Sequence, residues 1–360
     1  MKHRPKRWAS AGAALVALAA ATAILAGPAG AAPGGYRQTN VVSDQPGHAQ
    51  LTDPDLVNAW GLAAGPTTPI WAANNGTSTA TLYSGAVGGM PPAKVPLTVA
   101  VSGQDPTGQV FNPTGSFRVN VGGMRLPATF IFDAESGTVS AWPVSNPLTT
   151  TAPVVASVPG AIFKGLTMGS VRGRGPLLYA ADFHHGQIVV FNGRFRRVHL
   201  AGRFHDSQMP GDYAPFNVQN LGGRLYVTFA KQGPPPDEVD GPHLGRVDVF
   251  DRRGHLLQRL AKGGPLNAPW GLAMAPAQFG RFSGALLVGN FGNGHINAFD
   301  PGSGHWLGML RRPSGRPLAI DGLWALRFGN GVFASRRSLV FSAGPDGESH
   351  GLLGIIRAAG

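Results

Sequence analysis

The stretch Gly284–Pro301, GALLVGNFGNGHINAFDP, reads as one blade hairpin: an apolar strand ending in Asn290, a turn carrying Gly294, and an alternating strand from His295 to Phe299. Glycine in that turn supplies the positive φ that a tight hairpin needs. The same unit recurs. Its first arm returns at Ile70–Asn74, Ala128–Asp133, Leu177–Asp182, Leu225–Ala230 and Ser338–Ala343, and its second at Thr79–Ser84, Thr138–Val144, Gln187–Phe191, Arg246–Phe250 and Gly351–Ile356. Gly76, Gly137, Gly186 and Gly347 fall in the matching turns, and only the fourth hairpin is opened out, by Gly233–Gly245. A further strand precedes each pair, beginning near Asn58, Gly115, Phe163, Pro215, Asn267 and Asp321, a period of about fifty residues. Gly and Pro punctuate the chain throughout and almost no segment shows the i, i+3, i+4 spacing of an amphipathic helix, so the chain reads as all-β. Four antiparallel strands per repeat, repeated six times, predict a six-bladed β-propeller.

Two features predict closure. The sixth repeat stops after three strands, and Tyr36–Val42 (YRQTNVV) is a strand-like segment ahead of the first, so the N-terminal strand is expected to close the last blade and leave no free edge. Gly61, Ala63, Gly165, Gly271, Ala273, Gly322 and Ala325 supply the small residues that crowding around a narrow axis demands.

Residues 1–32 read as a secretory signal peptide: Lys2, Arg4, Lys6 and Arg7, an apolar run from Ala11 to Gly27, then small residues at 29–32. Residues 33–360 read as a single propeller domain. The product is expected to be secreted, monomeric and without a membrane span once the signal is cleaved. The chain has no cysteine, which excludes disulfides and thiolate metal sites. Its formal charge of +12 includes the four basic residues of the signal. The remaining positive field suits an anionic cell-envelope polymer, a small molecule or a protein held at one ring face. No run of Lys or Arg exceeds two residues, which argues against nucleic acid.

Read in order, TDPDLVNAWGLA (52–63), YAPFNVQNLGGRLYVTFAKQ (213–232), NAPWGLA (267–273), GALLVGNFGNGHINAFDP (284–301) and IDGLWALRFGNG (320–331) resemble a family of exported bacterial propeller proteins with no assigned activity. More distantly, the blades look like NHL-repeat proteins and the gluconolactonase and calcium-dependent phosphotriesterase superfamily. That second resemblance implies Ca²⁺ or another divalent ion at the channel mouth, with Asn217 and Asp321 as its ligands. Trp60 and Trp270 stand where blades one and five would carry a ligand.

The residues themselves offer several readings. Asn58, Asn217, Asn267 and Asp321 precede or open first strands and either ring a cation with oxygen ligands or bond their own turns. Trp60, Trp270 and Trp324 recur on first strands and either stack on a sugar or pack between blades, with packing preferred. Asp133, Asp182 and Asn290 end second strands and read as hairpin-closing side chains. Asp237, Glu238 and Asp240 in the long insertion either hold a cation or form a solvated loop, the latter preferred. The histidines, among them His184 and His185, lack metal-ligand spacing and read as solvated. No nucleophile elbow or phosphate loop is present in the sequence. A binding or scaffolding module is therefore the leading reading. A metal-dependent hydrolase of lactones or phosphoesters and a carbohydrate-binding propeller are the alternatives.

Overall fold

The computed structural model describes residues 34–234 and 237–359; the expected signal peptide lies outside them. Six small sheets form the blades of a six-bladed β-propeller. From the axis outward, blade one carries Ala59–Ala63, Ile70–Asn74, Thr79–Ser84 and Ala93–Val101, and blade two Pro106–Phe111, Phe130–Ala134, Thr138–Trp142 and Val154–Ser157. Blade three carries Phe163–Val171, Gly175–Asp182 and Gln187–Asn192, and blade four Tyr213–Leu221, Arg224–Gln232, Arg246–Phe250 and Leu256–Lys262. Blade five has Pro269–Met274, Leu286–Asn290, Ile296–Phe299 and Trp306–Met309. Blade six has Leu323–Phe328, Leu339–Ala343 and Leu352–Ala358.

Three details differ from the sequence expectation. Blade two begins at Pro106, ahead of Gly115, because a separate hairpin, Arg118–Val121 with Met124–Pro127, is inserted between its first two strands. Gly122 and Gly123, at φ 57° and 77°, turn that hairpin. Blade three has three strands, and its outer position is marked only by a bridge between Phe191 and Arg197. In the first hairpin Ser78, at φ 54°, takes the left-handed position expected of Gly76.

The seam closes as the sequence predicts. Tyr36–Ser43 lies antiparallel to Leu352–Ala358, with Tyr36 opposite Ala358 and Ser43 opposite Leu352. Tyr36 locks this strand to blade five: its hydroxyl donates to the Phe279 carbonyl at 3.0 Å, and its ring stacks on Phe282. Burial pushes that phenol up to about 12.

The inner strands share a device that creates the site. Each blade shows a register slip near the start of its first strand. Residues skipped by the ladder in these slips include Trp60, Thr107, Lys164, Phe216, Trp270 and Trp324. A bulge re-aims its side chain out of the normal alternation, and four of these six residues join one buried aromatic cluster. The backbones come this close only because small residues follow: a Cβ on Gly271 would fall 2.6 Å from the Trp324 carbonyl oxygen. Neighbouring blades are then pegged by side chains. Gln109 donates to the Gly61 and Trp71 carbonyls at 2.6 and 2.7 Å, Thr107 to Phe163 at 2.9 Å, and Ser342 to Trp60.

Candidate functional site

Loops that lead into the first strands and loops that join second to third strands meet at one mouth of the ring. Lys164, the bulge residue of blade three, is 2% exposed there. Its ammonium lies 2.7 Å from Glu135 Oε1, 3.6 Å from Glu238 Oε2 and 3.7 Å from Asp237 Oδ1, and 5.0 Å from the Trp60 ring centre. Glu135 comes from the hairpin turn of blade two, and Asp237 and Glu238 from the insertion of blade four.

A fourth carboxylate, Glu348 of blade six, is tied in through Asn58. The Asn58 amide donates to Glu348 Oε2 at 2.6 Å and to Asn75 Oδ1 at 3.3 Å, while its own oxygen accepts from Trp324 Nε1 at 3.1 Å. Asn75 in turn donates to Glu135 Oε2 at 3.0 Å. Asn58 holds φ at 46°, a left-handed conformation that Asn tolerates better than most residues.

One ammonium thus pairs with three carboxyl groups, and a fourth joins the cluster through Asn58. Burial works against the charge on Lys164, but Glu238 and Glu135 more than offset it and hold the lysine above its ordinary value. Burial also raises Glu238 and Glu348 above the ordinary carboxyl range, against the pull of Lys164 on the first and the Asn58 bond on the second. Glu238 Oε2 is buried and has no hydrogen-bond partner among the described residues, so the cluster holds an acceptor that they leave unsatisfied.

Beneath this cluster the axis is filled. Trp60 and Trp324 stack with ring centres 3.5 Å apart, Phe291 stacks on Trp324 at 4.2 Å, and Trp270 meets both tryptophans edge-on. Trp270 Nε1 donates across the axis to the Lys164 carbonyl at 2.8 Å. All three tryptophans are at most 2% exposed, so they pack at the axis and present no free face to a sugar.

The structure therefore brings Asn58, Trp60, Trp270 and Trp324 together and gives the other three residues separate tasks. Asn217 is fully buried and committed to backbone: its amide donates to the Trp270 carbonyl at 2.8 Å, and its oxygen accepts from Val218 N at 2.7 Å. Asn267 fastens the blade-four insertion by accepting from Gly241 N at 2.6 Å. Asp321 is exposed and caps a turn by accepting from Asp346 N at 2.9 Å.

A divalent ion held by Asn217 and Asp321 does not fit these residues, because the Asn217 amide is spent inside the ring. Among the described residues no group of three or more His, Asp or Glu is arranged to hold a metal ion. An ammonium occupies the centre of the carboxylate cluster instead. Three histidines each pair with a single aspartate, His185 with Asp182 at 2.8 Å, His255 with Asp251 at 2.9 Å and His350 with Asp44 at 2.7 Å.

Sequence reading missed Lys164, Glu135 and Glu348, and it preferred a solvated loop for the segment that buries Glu238. The usable clue is positional: Lys164-Gly165 occupies the register of Trp60-Gly61 and Trp270-Gly271, so aligning the blades exposes a cation where its counterparts are aromatic.

No family model matches the chain. It is 33% identical over 325 residues to the uncharacterized protein R648 of Acanthamoeba polyphaga mimivirus, a match covering 88% of this chain and 78% of that protein. It is 32% identical over 335 residues to the uncharacterized protein L690 of the same virus, covering 89% and 85%. These relatives are viral, and they do not show the bacterial, exported setting implied by the sequence resemblance. Among solved structures, the soluble aldose sugar dehydrogenase of Escherichia coli superposes with a TM-score of 0.52 at 13% identity, over 90% of this chain and all of that one. A streptogramin B lyase structure gives 0.50 at 9% identity over 90% and 97%. Identities this low carry the propeller fold and nothing further. On the two sequence matches, which run through nearly the whole ring, the chain belongs to the family of the mimivirus proteins R648 and L690.

Proposed function

We propose that this chain is an exported binding propeller that holds a ligand bearing an amine or other cationic group over the carboxylate-lined mouth. The observation that carries the reading is the imbalance at Lys164: three carboxyl groups from two blades lie within 4 Å of one ammonium, a fourth from blade six joins them through Asn58, and among the described residues Glu238 Oε2 has no hydrogen-bond partner. An acidic mouth on a strongly basic chain is a local reversal of charge, which steers and selects a cationic group. Asp237, at 72% exposure, and Glu135, at 28%, give that group a path from solvent toward the buried acceptors. The tryptophan floor keeps the ligand at the mouth.

Calorimetric titration of the mature chain with spermidine and with lysine methyl ester, against their N-acetylated forms, tests this. The amines are expected to bind saturably and the acetylated forms at least about ten-fold more weakly. Glu238→Gln should cost a similar factor, as for the loss of one charge-assisted contact. Equal binding of amine and acetylated amine would sink the reading. Tight calcium binding that Glu135→Gln abolishes would replace it with a metal site. Export belongs to the same proposal: the secreted product should begin near Ala32 or Pro33 by mass spectrometry.

A further inference from the structure

The other mouth of the ring carries the opposite charge and has a cavity. Where the first strands end, Gly61, Gln109, Gln219, Leu272, Met274 and Arg327 help to line a space of about 300 Å³. Arg327, Gln109, Gln219 and Leu62 also line an adjoining space of about 470 Å³, which Arg252 borders. Both volumes fall in the range of small-molecule sites.

Arg327 is partly buried yet poorly served. Among the described residues its one hydrogen bond is a long one, from Nη2 to the Ala64 carbonyl at 3.4 Å. Among the described residues no carboxylate pairs with it or with Arg252. Burial alone pushes Arg327 down to about 10. The Arg252 side chain crosses from blade four and lies against blade three, its Cδ 3.2 Å from where a Gly169 Cβ would stand. A buried cation is normally paired, because removing it from water is costly. Two unpaired guanidinium groups on one cavity leave room for an anion from outside, and Arg offers a carboxylate a two-pronged set of donors.

We infer that this mouth binds a small organic monocarboxylate, its carboxylate held by Arg327 with Arg252 at the rim and its apolar body against Leu62, Leu272 and Met274. The apolar walls are what favour an organic anion over inorganic phosphate, which would leave them in contact with nothing but solvent. This site stands apart from the amine reading, since it uses neither Lys164 nor its carboxylates.

The test is calorimetric titration of the full chain with hexanoate, hexanamide and inorganic phosphate. Hexanoate is expected to bind saturably, with hexanamide and phosphate each about ten-fold weaker or worse. Arg327→Gln should lose about ten-fold for hexanoate and Arg252→Gln about three-fold, the smaller loss following from its exposure. Glu238→Gln should leave hexanoate binding unchanged. Hexanamide or phosphate binding as tightly as hexanoate would overturn the assignment, and so would a folded Arg327→Gln chain with undiminished affinity. If Arg327→Gln does not fold, the contrast between hexanoate and hexanamide on the natural chain decides alone.

Discussion

Lys164 and Arg327 are both cations drawn in toward the ring axis, one at each mouth, and their surroundings are opposite. Lys164 is enclosed by side chains that depend on it: Glu135 at 2.7 Å, Glu238 and Asp237 just beyond, and Trp60 beneath. Arg327 faces open cavity and, among the described residues, makes a single long bond to backbone. A cation enclosed by carboxylates is part of the structure, whereas a cation facing an empty space is available to something else. The tryptophan stack between the two ends is what allows both arrangements in one ring.

Removing that partition should have the largest effect. Trp324→Ala deletes a side chain with no exposure that stacks on Trp60 and Phe291 and donates to Asn58. A loss of about 4 kcal/mol is expected in denaturant unfolding, the usual cost of truncating a buried large aromatic. A loss under about 1 kcal/mol would mean that the stack is not a structural wall.

The paired substitutions Lys164→Met and Arg327→Met sharpen the comparison. Lys164→Met strands the carboxylates and should cost about 3 kcal/mol near pH 7, the low end for breaking a buried pair because Glu135 keeps 28% exposure. The sign of the pH dependence follows from Glu238 and Glu348. Their carboxyls are raised on folding from a reference of 4.5, so the folded state binds more protons than the unfolded state above that value. Their contribution is therefore most favourable below pH 4.5 and is lost as pH rises through the raised values. Without the lysine they rise further, so the deficit of Lys164→Met should shrink as pH falls from 7 toward 4. A deficit that stays constant over this range would show that the lost packing of the lysine stem, not its charge, sets the cost.

Arg327→Met should have the smallest effect on stability. With no carboxylate left behind, the change is expected to be neutral or stabilising by about 1 kcal/mol, because a desolvated charge is replaced by an apolar chain of similar length. Destabilisation as large as that of Lys164→Met would abolish the contrast between the two mouths.

The fold was legible because propeller strands declare themselves locally, through alternation and turn glycines. Leu286–Asn290 and Thr79–Ser84 fall on the residues read from the sequence alone. Blade two misled because Gly122-Gly123 sets a hairpin of its own, which looks like the start of a blade. The mouth was only half legible. Asn58 and the tryptophans announce themselves by recurring at equivalent positions. Lys164, Glu135 and Glu348 come singly from separate blades, and nothing in their local sequence records that a bulge and two turns bring them within reach of one another. Asn217 shows the converse, since a polar residue at the position expected of a ligand is spent on joining two blades.

Ring closure by the Tyr36 strand has a topological consequence. The amide of Ala359 donates to the Gly35 carbonyl at 2.7 Å, so the two ends of the described chain lie side by side. A short linker across that gap makes the polypeptide circular, and the backbone can be reopened at the exposed Gly222-Gly223 or Gly122-Gly123 turns without separating any pair of blades. The order in which the blades are written in the gene is then a convention of the cut point, and both mouths survive its relocation.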